Sequence, residues 1–357
     1  MTEKLIVYQC YTQERNVSPC TAGDTGEKMD AKKPKILFDT DMDTDCDDAG
    51  ALAILCEHVL RGEIELIGVV ADAVSRYAAP CCEVLCRHYG LSVPIGAVPE
   101  AAYPAEETDR YNNYRAGLAR FNAGSRAYVE MMAAEIGKRD TDYPLSETVY
   151  RQVLAEAEDQ SVTVVCVGFL TAIARLFETE GDEISPLSGL ELFRKKVKMV
   201  VTMGHAEFPT LESLSFNYDS DAVGAEQFFL NCPVPVYVSG HGKTVISGGT
   251  FTERLDASHP LRRIYEKYNG ISRGRMSWDQ ITTLFALDPS SEKLCAEPVG
   301  TVVYRRGEGI THDQNGARAD FWVHPTISDK ELSLWIEAEM LGEYTEADNG
   351  GAPYGEA

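Results

Sequence analysis

Apolar positions along this chain follow two periods that alternate. Ile36-Leu37-Phe38 is a short apolar run behind Pro34 and Lys35 that stops abruptly at acids, as a strand buried on both faces does. Behind it Ala51, Leu52, Ile54, Leu55, Val59 and Leu60 recur at helical spacing, with Gly62 as the stop. The exchange then repeats. Strands are predicted at 64–70, 93–95, 161–167, 197–203 and 234–238, and helices at 78–89, 171–178 and 221–230. Helical patterns follow near 259–268 and 278–287. The runs 302–304 and 319–323 flank a Gly-rich turn and predict an antiparallel hairpin, followed by a helix at about 328–341. Strands that alternate with helices in this way predict an α/β fold. It is a doubly wound, mostly parallel sheet flanked by helices, with a small antiparallel hairpin near the C-terminus. Residues 1–33 show no sustained period and read as a loose extension, 34–345 as a single domain and 346–357 as a flexible tail.

Charge narrows the partners. The 357 residues hold 56 acids against 33 bases, a net charge of −23. Nucleic acids and anionic membranes require the opposite sign, so neither is expected to bind. No apolar run approaches the roughly 20 residues of a membrane-spanning helix. The first twenty residues lack a signal-peptide core. Ten cysteines lie scattered through the chain with no C-x-x-C pair. They read as reduced, apolar fillers in a reducing, cytoplasmic setting.

Chemistry is expected beyond the carboxyl ends of the strands, where open α/β sheets build their sites. Asp39, Asp41, Asp43, Asp45, Asp47 and Asp48 put six carboxylates into ten residues there. Their repulsion calls for a cation, and donors that are all oxygen call for a hard one, Ca²⁺ or Mg²⁺. The plainer alternative is a solvated acidic loop whose acids cap helices. An EF-hand fails: its sixth position is Thr44 rather than Gly, its twelfth is Gly50 rather than Glu, and a strand precedes it. Asp39-Thr40-Asp41 after a strand also fits a Mg²⁺-dependent phosphohydrolase of the haloacid dehalogenase type, with an aspartyl-phosphate at Asp39. In that case Met42 and Asp43 depart from the usual pattern, and Asp47-Asp48 would be idle.

The segment ILFDTDMDTDCDDAGAL resembles the N-terminal signature of the nucleoside hydrolase family, inosine-uridine preferring type. Further stretches resemble that family in order, over about residues 34–330. IELIGVVAD ends in Asp72 where the family has Asn. VTVVCVGFLTAIARL matches a strand end whose backbone carbonyl helps hold calcium. VVTMGHAEF and SFNYDSDAVGAEQF match the following motifs, and Trp278-Asp279-Gln280 opens a helix where the family often shows His-Asp-Pro. Thr311-His312-Asp313 also spells His-Asp. Only Asp279, however, is followed by apolar residues at helical spacing (Ile281, Leu284, Phe285).

What the resemblance implies is specific. Ca²⁺ would be held by Asp41, Asp48, Asp279 and the Val167 carbonyl, and Asp41 would be the general base toward water at the metal. Asp47, Asn217 and Asp72 would hydrogen-bond ribose hydroxyls. The reaction would be nucleoside plus water to ribose plus base, in purine or pyrimidine salvage. The partner would be a small nucleoside, and a homo-oligomer, dimer or tetramer, is expected as in other members. The departures are equally specific. The acidic turn is two residues longer than usual, and the family's Gly is Asp43. A gapless alignment would shift the roles from Asp39 and Asp41 to Asp41 and Asp43. The acid of the E-F-N motif is Ser215. Trp278 stands where a histidine often protonates the leaving base; it can stack on a base but cannot donate such a proton. His205 and His241 are candidate replacements. A relative that binds ribose or metal without turnover is the remaining alternative.

Overall fold

The first strand, β1 (Lys35–Thr40), is buried from Ile36 onward because it has parallel neighbours on both sides. The computed structural model describes residues 33–102, 128–204 and 215–343. The expected extension, apart from Lys33, and the expected tail lie outside the described residues.

Helix α1 (Asp47–Leu60) follows β1, then β2 (Glu65–Ala71), α2 (Ala78–His88) and β3 (Ile95–Ala97). After α3 (Tyr128–Ala133) and α4 (Ser146–Glu156) come β4 (Val162–Cys166), α5 (Thr171–Phe177), α6 (Gly189–Lys196) and β5 (Val197–Met203). Next are α7 (Phe216–Ser220), α8 (Ala222–Asn231) and β6 (Val236–Ser239), then the short β7 (Ile246–Ser247) and α9 (Phe251–Arg254). The chain continues through α10 (Pro260–Asn269), β8 (Arg275–Met276) and α11 (Trp278–Leu287). It closes with β9 (Leu294–Arg305), β10 (Gly309–Asp313), β11 (Asp320–Pro325) and α12 (Asp329–Met340).

Nine strands form one sheet in the order β10-β9-β11-β6-β5-β4-β1-β2-β3. The seven from β11 to β3 run parallel, and β9 is antiparallel to both β11 and β10. β7 and β8 make a separate antiparallel pair. The expected doubly wound sheet is therefore what forms. Alternation along β1 and β4 splits the core in two. Ile36, Phe38 and Val165 pack on one face, and Leu37, Val164 and Cys166 on the other. All eight described cysteines are free, and seven are buried. No described helix is long and apolar enough to cross a membrane.

Two expectations need correction. The strand expected at 93–95 begins at Ile95: Pro94 has no N–H to give a ladder, although its carbonyl accepts from Val69 N–H at 2.9 Å. The expected hairpin of 302–304 with 319–323 is a three-strand unit. Its central strand β9 pairs with β10 as well as β11, so Thr311-His312-Asp313 lies in an edge strand rather than a turn.

From β1 the chain winds outward to β2 and β3, then returns to the other side of β1 for β4, β5 and β6. The direction of winding reverses between β1 and β4. A crevice opens at their carboxyl ends, the place where doubly wound folds bind ligands. The two ends approach closely. A Cβ on Gly168 would stand 2.4 Å from the Asp41 nitrogen and 2.7 Å from the Thr40 carbonyl carbon, so this position accepts only glycine.

Candidate active site

The crevice is a cavity of about 330 Å³. Its described walls bring together Asp41 and Asp45 from the β1–α1 loop, Asp47 and Asp48 from the start of α1, Asn217 and Phe216 from α7, and Arg275, Trp278 and Asp279 from β8 and α11. Five of the expected side-chain positions, Asp41, Asp47, Asp48, Asp279 and Asn217, are each at most 3% exposed. Such burial is costly for carboxylates without a partner.

The loop is built turn by turn. Thr44 N–H donates to the Asp41 carbonyl at 3.0 Å, which reverses the chain after β1. Asp43 sits at φ +124°, a conformation that favours glycine. Its side chain leaves the cavity and accepts from Ser75 Oγ at 2.8 Å, while its N–H donates to Tyr128 Oη at 2.8 Å. Asp39 is fully buried and accepts from Tyr150 Oη at 2.6 Å. It is absent from the described cavity wall, which leaves an aspartyl-phosphate at Asp39 without access.

The five carboxylates of the described cavity wall have distinct situations. Asp45 accepts from Arg275 Nη2 at 2.7 Å. Asp47 Oδ2 accepts from the backbone N–H groups of Trp278 (3.0 Å) and Asp279 (3.2 Å). Asp48 Oδ1 accepts from the Thr40 hydroxyl. Left over on the cavity wall are Asp41 Oδ2, Asp48 Oδ2 and Asp279 Oδ1, each buried and without a hydrogen-bond partner among the described residues; Asp39 Oδ1, off that wall, is likewise unpartnered. Burial raises the pKa of Asp41 to about 8, with Asp45 and Asp72 adding repulsion. Burial likewise pushes Asp48 and Asp279 well above the carboxylate range, reinforced by the neighbouring aspartates. A hard cation relieves this strain, because it replaces repulsion among buried oxygens with attraction. The carboxylate oxygens of Asp45, Asp47 and Asp48 lie within 4.8 Å of one another and could hold a metal ion. Asp45 and Asp47, however, are already engaged by a guanidinium and by helix amides. The three unpartnered oxygens are the better-fitting donors.

The other expected residues fall in different places. The Val167 carbonyl accepts from Asn217 Nδ2 at 2.5 Å, so these two meet directly. Asp72 is fully buried, and its Oδ2 accepts from Ala172 N–H at 2.9 Å in the first turn of α5. It is not among the described wall residues. Ser215 Oγ caps α7 by accepting from Tyr218 N–H at 3.2 Å. His241 pairs with Asp329 at 2.8 Å. His205 lies outside the described residues. Arg275 was not anticipated; the only sequence signal was a single base three residues ahead of the Trp-Asp pair.

A carboxylate cup at the switch point of a doubly wound sheet, flanked by an amide and an aromatic wall, defines a hydrolase site for a polar small molecule. The family model described as inosine-uridine preferring nucleoside hydrolase matches residues 36–337, and the chain belongs to that family of N-glycosyl hydrolases. Solved structures share the fold at low identity. An inosine-uridine preferring nucleoside hydrolase from Bacillus anthracis superimposes with a TM-score of 0.58 at 15% identity, over 87% of this chain and 100% of that one. A plant nucleoside hydrolase gives 0.55 at 17% identity, over 86% and 99%. The type III effector XopQ, complexed with adenosine diphosphate ribose, gives 0.64 at 13% identity, over 87% and 94%. No curated protein sequence matches the chain.

Proposed function

We propose that the crevice hydrolyses the N-glycosidic bond of a ribonucleoside, with Ca²⁺ held by Asp41, Asp48, Asp279 and the Val167 carbonyl. The observation that carries this reading is the set of three buried, unpartnered oxygens on Asp41, Asp48 and Asp279. A mixed carboxylate and carbonyl set suits Ca²⁺ better than Mg²⁺, which demands tighter octahedral geometry. When bound, the cation would polarise water and grip ribose hydroxyls.

The chain's own residues supply the rest. Asp41 takes the proton of the attacking water, and the cation would hold its buried carboxylate in the ionised form that a base needs. Asn217 and Asp47 orient ribose hydroxyls, so that the sugar is fixed while C1′ gains positive charge. For Asn217 this requires its amide to leave the Val167 carbonyl. We assign Asp72 to support behind the cup: its carboxylate anchors the start of α5, just after Val167. Trp278 and Phe216 offer faces for the base. In this reading the protein acts in base salvage in the cytoplasm, as a homo-oligomer.

The test is chromatographic. The Ca²⁺-loaded chain is incubated with purine and pyrimidine ribonucleosides, and free base is quantified. Adenosine diphosphate ribose joins the panel, since a structural neighbour is complexed with it. Release of base from at least one nucleoside is expected. Tight binding of panel members with no release would favour a non-hydrolytic relative.

A further inference from the structure

Resting on the proposed function, the structure raises the question of what receives the charge of the departing base. Breaking the C1′–N bond leaves its electron pair on the base. Trp278 has one N–H and no titratable proton. No histidine stands among the described wall residues, and His241 is turned to Asp329. Arg275 is the one cation among those described walls.

Its setting is built. Nη2 donates to Asp45 at 2.7 Å, and the guanidinium carbon lies 5.5 Å from the Trp278 ring centre and 5.3 Å from that of Tyr268. Its side chain is 19% exposed. Nε has no hydrogen-bond partner among the described residues. One edge of the guanidinium is thus anchored, its carbon lies over the Trp278 and Tyr268 rings, and the side chain lines the cavity with part of its surface open. Burial opposes the charge, but Asp45 outweighs it and keeps Arg275 protonated.

We propose that Arg275 is the leaving-group cation of this site. The C1′–N bond breaks, the pair passes to the base, and the guanidinium N–H groups hold the resulting anion. The water oxygen forms the C1′–O bond and its proton passes to Asp41; the base takes a proton from solvent after release. A guanidinium does not give up a proton near neutral pH, so the base departs charged rather than neutral. Fixed charge in a dry pocket stabilises such an anion far better than it would in water.

The probe is 4-nitrophenyl riboside, whose leaving group needs no assistance, run beside inosine and uridine with the Ca²⁺-loaded full chain. For Arg275→Met, kcat on the nucleosides should fall on the order of 100-fold or more, with 4-nitrophenyl riboside little changed. Arg275→Lys should recover part of the loss. Equal losses on both substrate types would make Arg275 a mere support of the Asp45 loop and overturn the proposal. Should Arg275→Met not fold, the unmodified protein decides. The titratable groups facing Arg275 are Asp45, Cys46, Tyr268 and Asp279. Nucleoside kcat should follow that of 4-nitrophenyl riboside from pH 7 to about 10, because a guanidinium does not titrate there. A falling alkaline limb seen only with nucleosides would assign a titrating acid instead and overturn the proposal. An unmodified protein that leaves 4-nitrophenyl riboside and all nucleosides intact overturns the hydrolase reading itself, and this inference with it.

Discussion

Asp47 and Asp279 are joined by a bond that organises the site: Asp47 Oδ2 accepts from the Asp279 N–H at 3.2 Å and from the neighbouring Trp278 N–H at 3.0 Å. One carboxylate ties the start of α1 to the start of α11. It satisfies amides that α11 cannot satisfy itself, and it meets that helix's positive end. Asp47→Ala should therefore cost about 1–3 kcal/mol in urea unfolding, the usual penalty for stranding buried donors. It should also weaken Ca²⁺ binding, because Asp279 loses its anchor. Asp47→Asn keeps an acceptor and should cost less. Equal costs for the two variants would contradict the amide-anchoring role.

The unpartnered oxygens predict an inversion of stability. Without metal, Asp41, Asp48 and Asp279 repel one another in a buried cluster. Asp48→Asn removes a carboxyl group that metal-free folding must bury and protonate, so the metal-free variant should unfold at higher urea than the metal-free parent. In Ca²⁺ at 100 times its Kd the parent gains about 2.7 kcal/mol and the order should reverse. A parent that is more stable under both conditions would argue that the cup holds no ion.

Backbone geometry separates the two alignments of the acidic turn. Asp43 occupies a glycine-favouring φ of +124° and faces Ser75 rather than the cavity. Asp43→Gly relieves backbone strain of roughly 1–3 kcal/mol while losing one hydrogen bond. Turnover and Ca²⁺ affinity should change little, whereas Asp41→Asn should abolish turnover. Comparable loss in both variants would move the catalytic role to the shifted register.

Much of the fold and of the site's position is legible in the sequence. The runs Ile36–Phe38 and Met199–Val201 lie in parallel strands and are buried, and strands of that kind announce themselves as unbroken apolar stretches. The acids of 39–48 follow such a run directly, so the site's position came with the fold. The setting of Asp72 is less legible: its carboxylate meets an amide one hundred residues away, a partner that sequence order does not reveal. Arg275 was hidden for the same reason: its partners, Asp45 and Tyr268, lie in other segments, and no local spacing reveals an ion pair across 230 residues.

A titration away from the site offers an independent check. His259 has its pKa lowered to about 4 by burial, with His88 a second cause; the two rings are 4.2 Å apart. Its Nδ1 accepts from Leu261 N–H at 3.2 Å, capping α10. The folded state thus binds fewer protons than the unfolded state between about pH 6.5 and 4. The stability this contributes is present above the unfolded pKa and lost as pH falls. His259→Asn keeps a cap acceptor without the titration. Urea midpoints measured from pH 7 to 4.5 should fall more steeply for the parent than for His259→Asn. Parallel curves would contradict the assignment.

The most direct test of the central claim is the initial rate of reducing-sugar release from inosine and uridine, measured with Ca²⁺, after removal of metal by chelator, and after Ca²⁺ is restored. The account predicts release with metal, loss with chelator, recovery on re-addition, and no recovery in Asp41→Asn. Release that persists undiminished in chelator would contradict it.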